Sequence, residues 1–137
     1  MCIIVLSWSV KNYLMKHSMK MIKTKSVFEP KSDDDGIRVL ITRYYPRGVK
    51  KGHFDEWMRT LAPSKELLKE YKDKKIEWNE FEKQFLNQMT NQDSETTIQT
   101  LASRARKNNI TLLCYEKNGH NCHRYLVHDL ITNQLHV

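Results

Sequence analysis

No run of about 20 apolar residues, the length a bilayer-spanning helix needs, occurs in this chain of 137 residues, so a soluble protein is expected. Cysteine is scarce: Cys2, Cys114 and Cys122 are too few and too unevenly spaced for a disulfide framework. The sequence has no Gly-rich dinucleotide loop, no Walker loop and no Gly-x-Ser-x-Gly elbow. The stretch from Cys122 to Arg124 is shorter than the Cys-to-Arg phosphate cradle of tyrosine phosphatases. Neither Cys-x-x-Cys hooks nor a His-Glu-x-x-His helix is present. Repeats, linkers and low-complexity segments are also missing. These absences remove the chemistries that a short motif can announce.

A secretory signal places its positive charge ahead of its apolar core. Here the apolar stretch Met1 to Leu6 comes first and Lys11 follows, the reverse order. The expected compartment is therefore the reducing cytoplasm, where thiols stay free. Met15, Met19 and Met21 follow closely, and translation is expected to begin at Met19 or Met21, with residues 1–20 a dispensable extension. Residues 21–137 are expected to form one domain, a comfortable length for a single core.

The net charge is +7, which favours an anionic partner. Three of those charges (Lys11, Lys16 and Lys20) belong to the doubtful extension, leaving +4 on the rest. That balance alone is a weak argument for nucleic acid.

Periodicity gives the organisation. Ile22 to Glu29 reads as a strand and Pro30 to Gly36 as an acidic turn. Ile37 to Thr42 reads as a second strand, whose apolar run Val39 to Ile41 suits burial on both faces. Phe54, Trp57, Met58 and Leu61 recur at helical spacing and predict a short helix ended by Pro63. Ser64 is a good N-cap for a helix carrying Leu67, Leu68 and Tyr71. Trp78, Phe81, Phe85 and Met89 fall on one face of another. Asp93 or Ser94 is expected to cap the next, with Ile98, Leu101, Ala102 and Ala105 as its inner stripe. Ile110 to Tyr115 reads as a further doubly covered strand, and Cys122 to Ile131 as a final helix. This order predicts an α/β sandwich with a mostly parallel sheet.

Ligand sites in such sheets lie beyond the carboxyl ends of the strands, which selects two loops. In the first, Arg43 and Arg47 can present charged forks to a phosphate or carboxylate, and Tyr44 or Tyr45 can stack on a base. The competing reading has the tyrosines capping the core and an arginine paired with an acid. Gly48 permits close backbone approach, while Lys50, Lys51 and His53 add charge nearby.

In the second loop, Cys122 falls where the last helix begins, a position that stabilises a thiolate. His120 or His123 can act as a base, Arg124 can hold an anion, and Glu116 can orient a histidine or an arginine. The competing reading has Cys122 packed as a small hydrophobe. Cys114, inside an apolar strand, reads as a buried structural thiol. Adjacent Cys122 and His123 should point apart from a helix start, so no metal site is expected.

Three blocks resemble the domain-of-unknown-function 488 family: Thr42 to Gly48, Leu61 to Ser64 with the preceding Trp57, and Leu112 to Glu116 followed by Cys122-His123-Arg124. Together with Trp78 and Phe81 they extend the resemblance over about residues 21–131. It implies a compact, three-layer Rossmann-like sandwich with a small, mostly parallel sheet. It implies no particular reaction, and some branches lack the Cys-His-Arg element. The expectation is a cytoplasmic enzyme acting on an anionic substrate, a nucleotide or phosphorylated metabolite, through Cys122, His123 and Glu116. Arg43, Tyr44, Arg47, His120 and Arg124 would bind that substrate; the sequence names no cofactor. The alternative is a nucleic-acid or nucleotide-binding module without turnover, and a redox-sensing protein is a third reading.

Overall fold

A computed structural model describes residues 21–117 and 119–136; the expected extension over residues 1–20 lies outside them. Four strands, β1 (Ile22–Ser26), β2 (Ile37–Leu40), β3 (Glu56–Trp57) and β4 (Ile110–Cys114), form one sheet in the order β1-β4-β2-β3. Every pair is parallel. The helices among the described residues are α1 (Lys65–Lys72), α2 (Trp78–Gln88), α3 (Gln92–Ala105) and α4 (His123–Leu135). None is long and apolar enough to cross a membrane.

Alternation along the strands assigns the two faces. Val39, Ile110 and Leu112 point to the helices, where they pack with Phe81, Phe85, Leu101 and Val127 in the main core. On the opposite face, Leu40 and Leu113 meet Val27 and are covered by Val49, Phe54 and Trp57. The sheet thus lies between a helical layer and a layer of loop and 3-10 turn. Burial on both faces explains the consecutive apolar residues Val39, Leu40 and Ile41 in and after β2 and Leu112, Leu113 and Cys114 in β4.

Two expectations are corrected. Residues 54–61 form no α-helix: β3 pairs with β2, and the 3-10 turn Arg59–Leu61 follows. Asp55 N–H donates to the Arg38 carbonyl and Met58 N–H to the Leu40 carbonyl, both at 2.8 Å. Phe54 and Trp57 cover the loop-side cluster while Met58 and Leu61 join the helix-side core. The helical spacing thus records a segment that wraps the sheet edge and feeds both cores. The cap of α3 is Asn91, whose side chain accepts from Ser94 N–H at 2.9 Å, rather than Asp93 or Ser94. The Ser94 hydroxyl instead donates to the Thr60 carbonyl at 2.6 Å. Ser64 caps α1 as expected, accepting from Leu67 N–H at 3.1 Å.

At the amino end of the sheet, Asp35 is 1% exposed and gathers three cations. Its carboxylate meets Lys23 at 2.8 Å, Lys25 at 3.0 Å and the Arg38 guanidinium. These contacts, with a hydrogen bond from Ser32 N–H, hold its carboxyl below the usual range despite burial. Next to it, Gly36 has φ +63° and passes so close to β4 that an added Cβ would lie 2.0 Å from the Asn109 carbonyl oxygen.

Gly36→Ala should therefore cost about 3 kcal/mol, read by chemical denaturation. Asp35→Asn, which strands three buried or half-buried cations, should cost about 3 kcal/mol at neutral pH. Because the folded carboxyl titrates below its unfolded value of about 4, its contribution is complete above that value and is lost as pH falls from there through the lower folded value. The gap between Asp35→Asn and the parent should accordingly narrow in acid.

Candidate functional site

The carboxyl ends of β2 and β4 deliver both selected loops to one cleft of about 730 Å³. The first loop is set by Thr42, whose hydroxyl donates to the Tyr44 carbonyl at 2.7 Å and whose carbonyl accepts the Trp57 indole N–H at 2.7 Å. Tyr45 is 37% exposed and also lines the cleft, but its ring meets Phe54 and Trp57 edge-on, and its hydroxyl donates to the Val49 carbonyl. Tyr44 stays 48% exposed on the cleft wall. Gly48 adopts φ +78° with nothing within 4 Å of an added Cβ, so the turn needs its conformation rather than a close approach. The Tyr115 hydroxyl donates to the Tyr45 carbonyl at 3.1 Å and ties the two loops together.

The predicted cations separate. Arg43 lines the cleft, but its Nε–H donates to the Pro63 carbonyl at 2.9 Å and its Nη2 reaches the Ala62 carbonyl at 3.3 Å. It ties the loop to the start of α1. Arg47 is exposed on the cleft wall, without a hydrogen bond or ion pair among the described residues. Arg124 is 0% exposed and does not line the cleft. Its Nη1 donates to the Glu116 carbonyl at 2.5 Å and its Nη2 to the Tyr125 hydroxyl at 3.0 Å. It holds the turn after β4 and lies outside the cleft lining, apart from the other residues expected to bind an anion. The contact that orients Arg124 comes from Glu116's main-chain oxygen; its exposed side chain lines the cleft. His120 is exposed and outside the cleft lining.

Cys122 and His123 do converge, contrary to expectation, and they converge on Cys114. Cys122 occupies the N-cap of α4 in extended conformation and sends its sulfur inward. His123 Nδ1 lies 3.8 Å from Cys114 Sγ and 3.8 Å from Cys122 Sγ. The three ligand atoms lie within 4.8 Å of one another, and all three buried residues line the cleft. On the far side of the ring, Nε2 is 2.6 Å from the Ile41 carbonyl. A carbonyl only accepts, so Nε2 carries the proton and Nδ1 turns its lone pair to the sulfurs. Phe85 packs edge-on against the ring at 5.4 Å and fixes its plane.

The two thiols differ electrostatically. Cys114 is pulled down from its ordinary value by a hydrogen bond from Cys122, by the N–H groups of Glu116 and Tyr115 and by the positive charge of Arg124, against the opposing effect of burial. Cys122 is pushed up by its hydrogen bond to Cys114 and by burial. The thiolate-favoured sulfur is therefore Cys114, not Cys122 at the helix start. Cys114 was discounted because a cysteine in an apolar strand resembles core. Its place as the last residue before the turn to Cys122 was the available signal.

A small all-parallel α/β protein with a buried thiol–imidazole cluster at the carboxyl end of its sheet is the class these features define. The chain belongs to the DUF488 family: residues 22–135 match the group described as the active DUF488-N3 subclade. It is 34% identical to the uncharacterized protein YeaO of Escherichia coli (strain K12) over 110 residues, which cover 79% of this chain and 94% of YeaO. It is 26% identical to the uncharacterized protein Rv3073c of Mycobacterium tuberculosis (strain ATCC 25618 / H37Rv) over 101 residues, 72% of this chain and 86% of that protein. No solved structure matches the chain significantly.

Peptide-resolved alkylation of reduced, chelator-treated protein against pH should show Cys114 reacting with a lower midpoint than Cys122. In Cys122→Ala, which removes the donated hydrogen bond, the Cys114 midpoint should rise.

Proposed function

We propose that this protein is an enzyme acting on an anionic substrate, a nucleotide or phosphorylated metabolite, held in the cleft between the two loops. One observation carries the reading: Arg47 is exposed on the wall of the same cleft whose lining includes the Cys114–Cys122–His123 cluster. A phosphate on the Arg47 guanidinium gains a charge-assisted, two-pronged contact. Arg43 and Arg124 support this arrangement by holding the loops in place. At the cluster, His123 Nδ1 is placed to take a thiol proton, and the resulting imidazolium keeps its Nε2–H on the Ile41 carbonyl. Reduced thiols in the buried pair suit a cytoplasmic setting.

The second reading, a nucleotide or nucleic-acid binding module without turnover, is favoured by the exposed aromatics Phe28, Tyr44 and Tyr115 in the cleft lining. Each offers a face on which a base can stack.

Titration with inorganic phosphate and a panel of nucleoside phosphates separates the readings. The enzyme reading expects binding that Arg47→Ala weakens about tenfold or more. It expects Cys122→Ser to abolish turnover of the bound ligand while leaving affinity intact. No binding by any member of the panel, or loss of affinity together with turnover in Cys122→Ser, would count against it. Oligonucleotide binding that falls steeply with salt, without turnover, would favour the second reading.

A further inference from the structure

We infer that Cys114, Cys122 and His123 form a site for one divalent transition-metal ion of the zinc class, with a fourth coordination position open to the cleft. The inference rests on the reading of this cluster as the reactive centre and specifies its working form: with the ion bound, the metal replaces the thiol protons and His123 Nδ1 serves as a ligand instead of a base.

The geometry is close to that of a preformed site. With metal–sulfur bonds of about 2.3 Å and a metal–nitrogen bond near 2.0 Å, tetrahedral coordination separates sulfur from nitrogen by about 3.5 Å. The two sulfur–nitrogen separations here are both 3.8 Å. A shift of a few tenths of an ångström closes each sulfur–nitrogen pair around an ion, and the sulfurs must approach the roughly 3.8 Å that tetrahedral coordination sets between them. All three ligand atoms already lie within 4.8 Å of one another.

The surroundings also match. A metal-ligating histidine donates its other N–H to a fixed acceptor, which locks the tautomer and aims the lone pair. His123 does this through Nε2–H to the Ile41 carbonyl at 2.6 Å. Two ligands come from α4 and its cap, and the third from the end of β4, so the set rides on regular elements rather than on a mobile loop. Burying two thiolates without compensation is costly, and a divalent ion supplies the missing positive charge in place of the thiol protons.

Ligand chemistry selects the ion. Two sulfurs and an imidazole suit zinc and related soft or borderline metals, while calcium and magnesium require oxygen ligands. Three protein ligands with one position left over is the pattern of zinc sites that take part in reactions, whereas structural zinc sites are closed by four. The cleft lining includes all three residues, so the remaining position faces the space assigned to the substrate. Sequence spacing could not show this, because the ligands sit at positions 114, 122 and 123 and only the turn after β4 brings them together.

The test titrates chelator-stripped, reduced full-length protein with Co²⁺ as an optical probe. The expected result is one equivalent per chain, with a sulfur-to-cobalt charge-transfer band, intense tetrahedral visible bands and displacement by Zn²⁺. Cys122→Ser should lower the charge-transfer intensity by about half, and His123→Gln should weaken affinity by more than about tenfold. Cys2→Ser should change neither. If a variant fails to fold, the wild-type chain still decides. Zn²⁺ should protect Cys114 and Cys122 from alkylation, reversibly by chelator, while labelling of Cys2 continues. No cobalt uptake, a weak spectrum without charge transfer, or unprotected thiols would overturn the site. Metal uptake without nucleoside-phosphate or phosphate binding would leave the site standing and remove the proposed substrate. Turnover that persists in metal-free protein would overturn the metal's place in the working form and leave the proposed substrate standing.

Discussion

The strand Ile110–Cys114 is the constraint on which the rest depends. It is buried on both faces and paired in parallel on both edges, so its main-chain groups find their partners only if both neighbouring strands lie in register. Parallel pairing also forces the chain to cross back between strands. The long crossover from β3 to β4 is therefore spent on α1, α2 and α3, which cover one face. Because all the strands run the same way, their carboxyl ends collect at one edge, and the loops after β2 and β4 meet there.

The two ends of the sheet solve opposite electrostatic problems. At the amino end, one buried carboxylate gathers Lys23, Lys25 and Arg38, and Asn109 receives the close approach of Gly36. Those contacts set where β1 and β2 begin relative to β4. At the carboxyl end, two buried sulfurs share one imidazole lone pair, with Arg124 adding positive charge from behind the turn. The first cluster is closed, with its charges paired inside the fold. The second opens to a cleft lined by aromatic rings and Arg47. The two ends therefore differ in kind: the amino-end cluster is paired within the fold, whereas the carboxyl-end cluster borders a cleft.

Much of the scaffold was legible before the fold was known. Burial on both faces writes consecutive apolar residues, and Val39 and Leu40 in β2 and Leu112, Leu113 and Cys114 in β4 carry that mark. The helical faces of α2 and α3 appeared in their apolar spacing because each turns one stripe to a single core. The segment around Phe54 and Leu61 misled because it serves two cores on opposite sides of the sheet. Its spacing resembles a helix although its amide groups bond to β2. The Asn91 cap was missed because Asn91, Asp93 and Ser94 all compete for one position, and only the chain direction on entering the helix selects among them.

The sequence by itself determined the layered architecture and the two loops where chemistry gathers, because hydrophobic period and turn residues act locally. It also singled out Cys122, His123 and the Arg43–Arg47 pair as candidates, since a thiol, an imidazole and two fixed charges fall at strand ends. Only the tertiary structure decided which of these side chains face one another. It turned Arg124 inward onto a carbonyl, left His120 outside the cleft, left Arg47 exposed and set Cys114 beside Cys122. Side-chain direction follows from register and helix entry, and those depend on contacts between residues far apart in the chain, which no local pattern records.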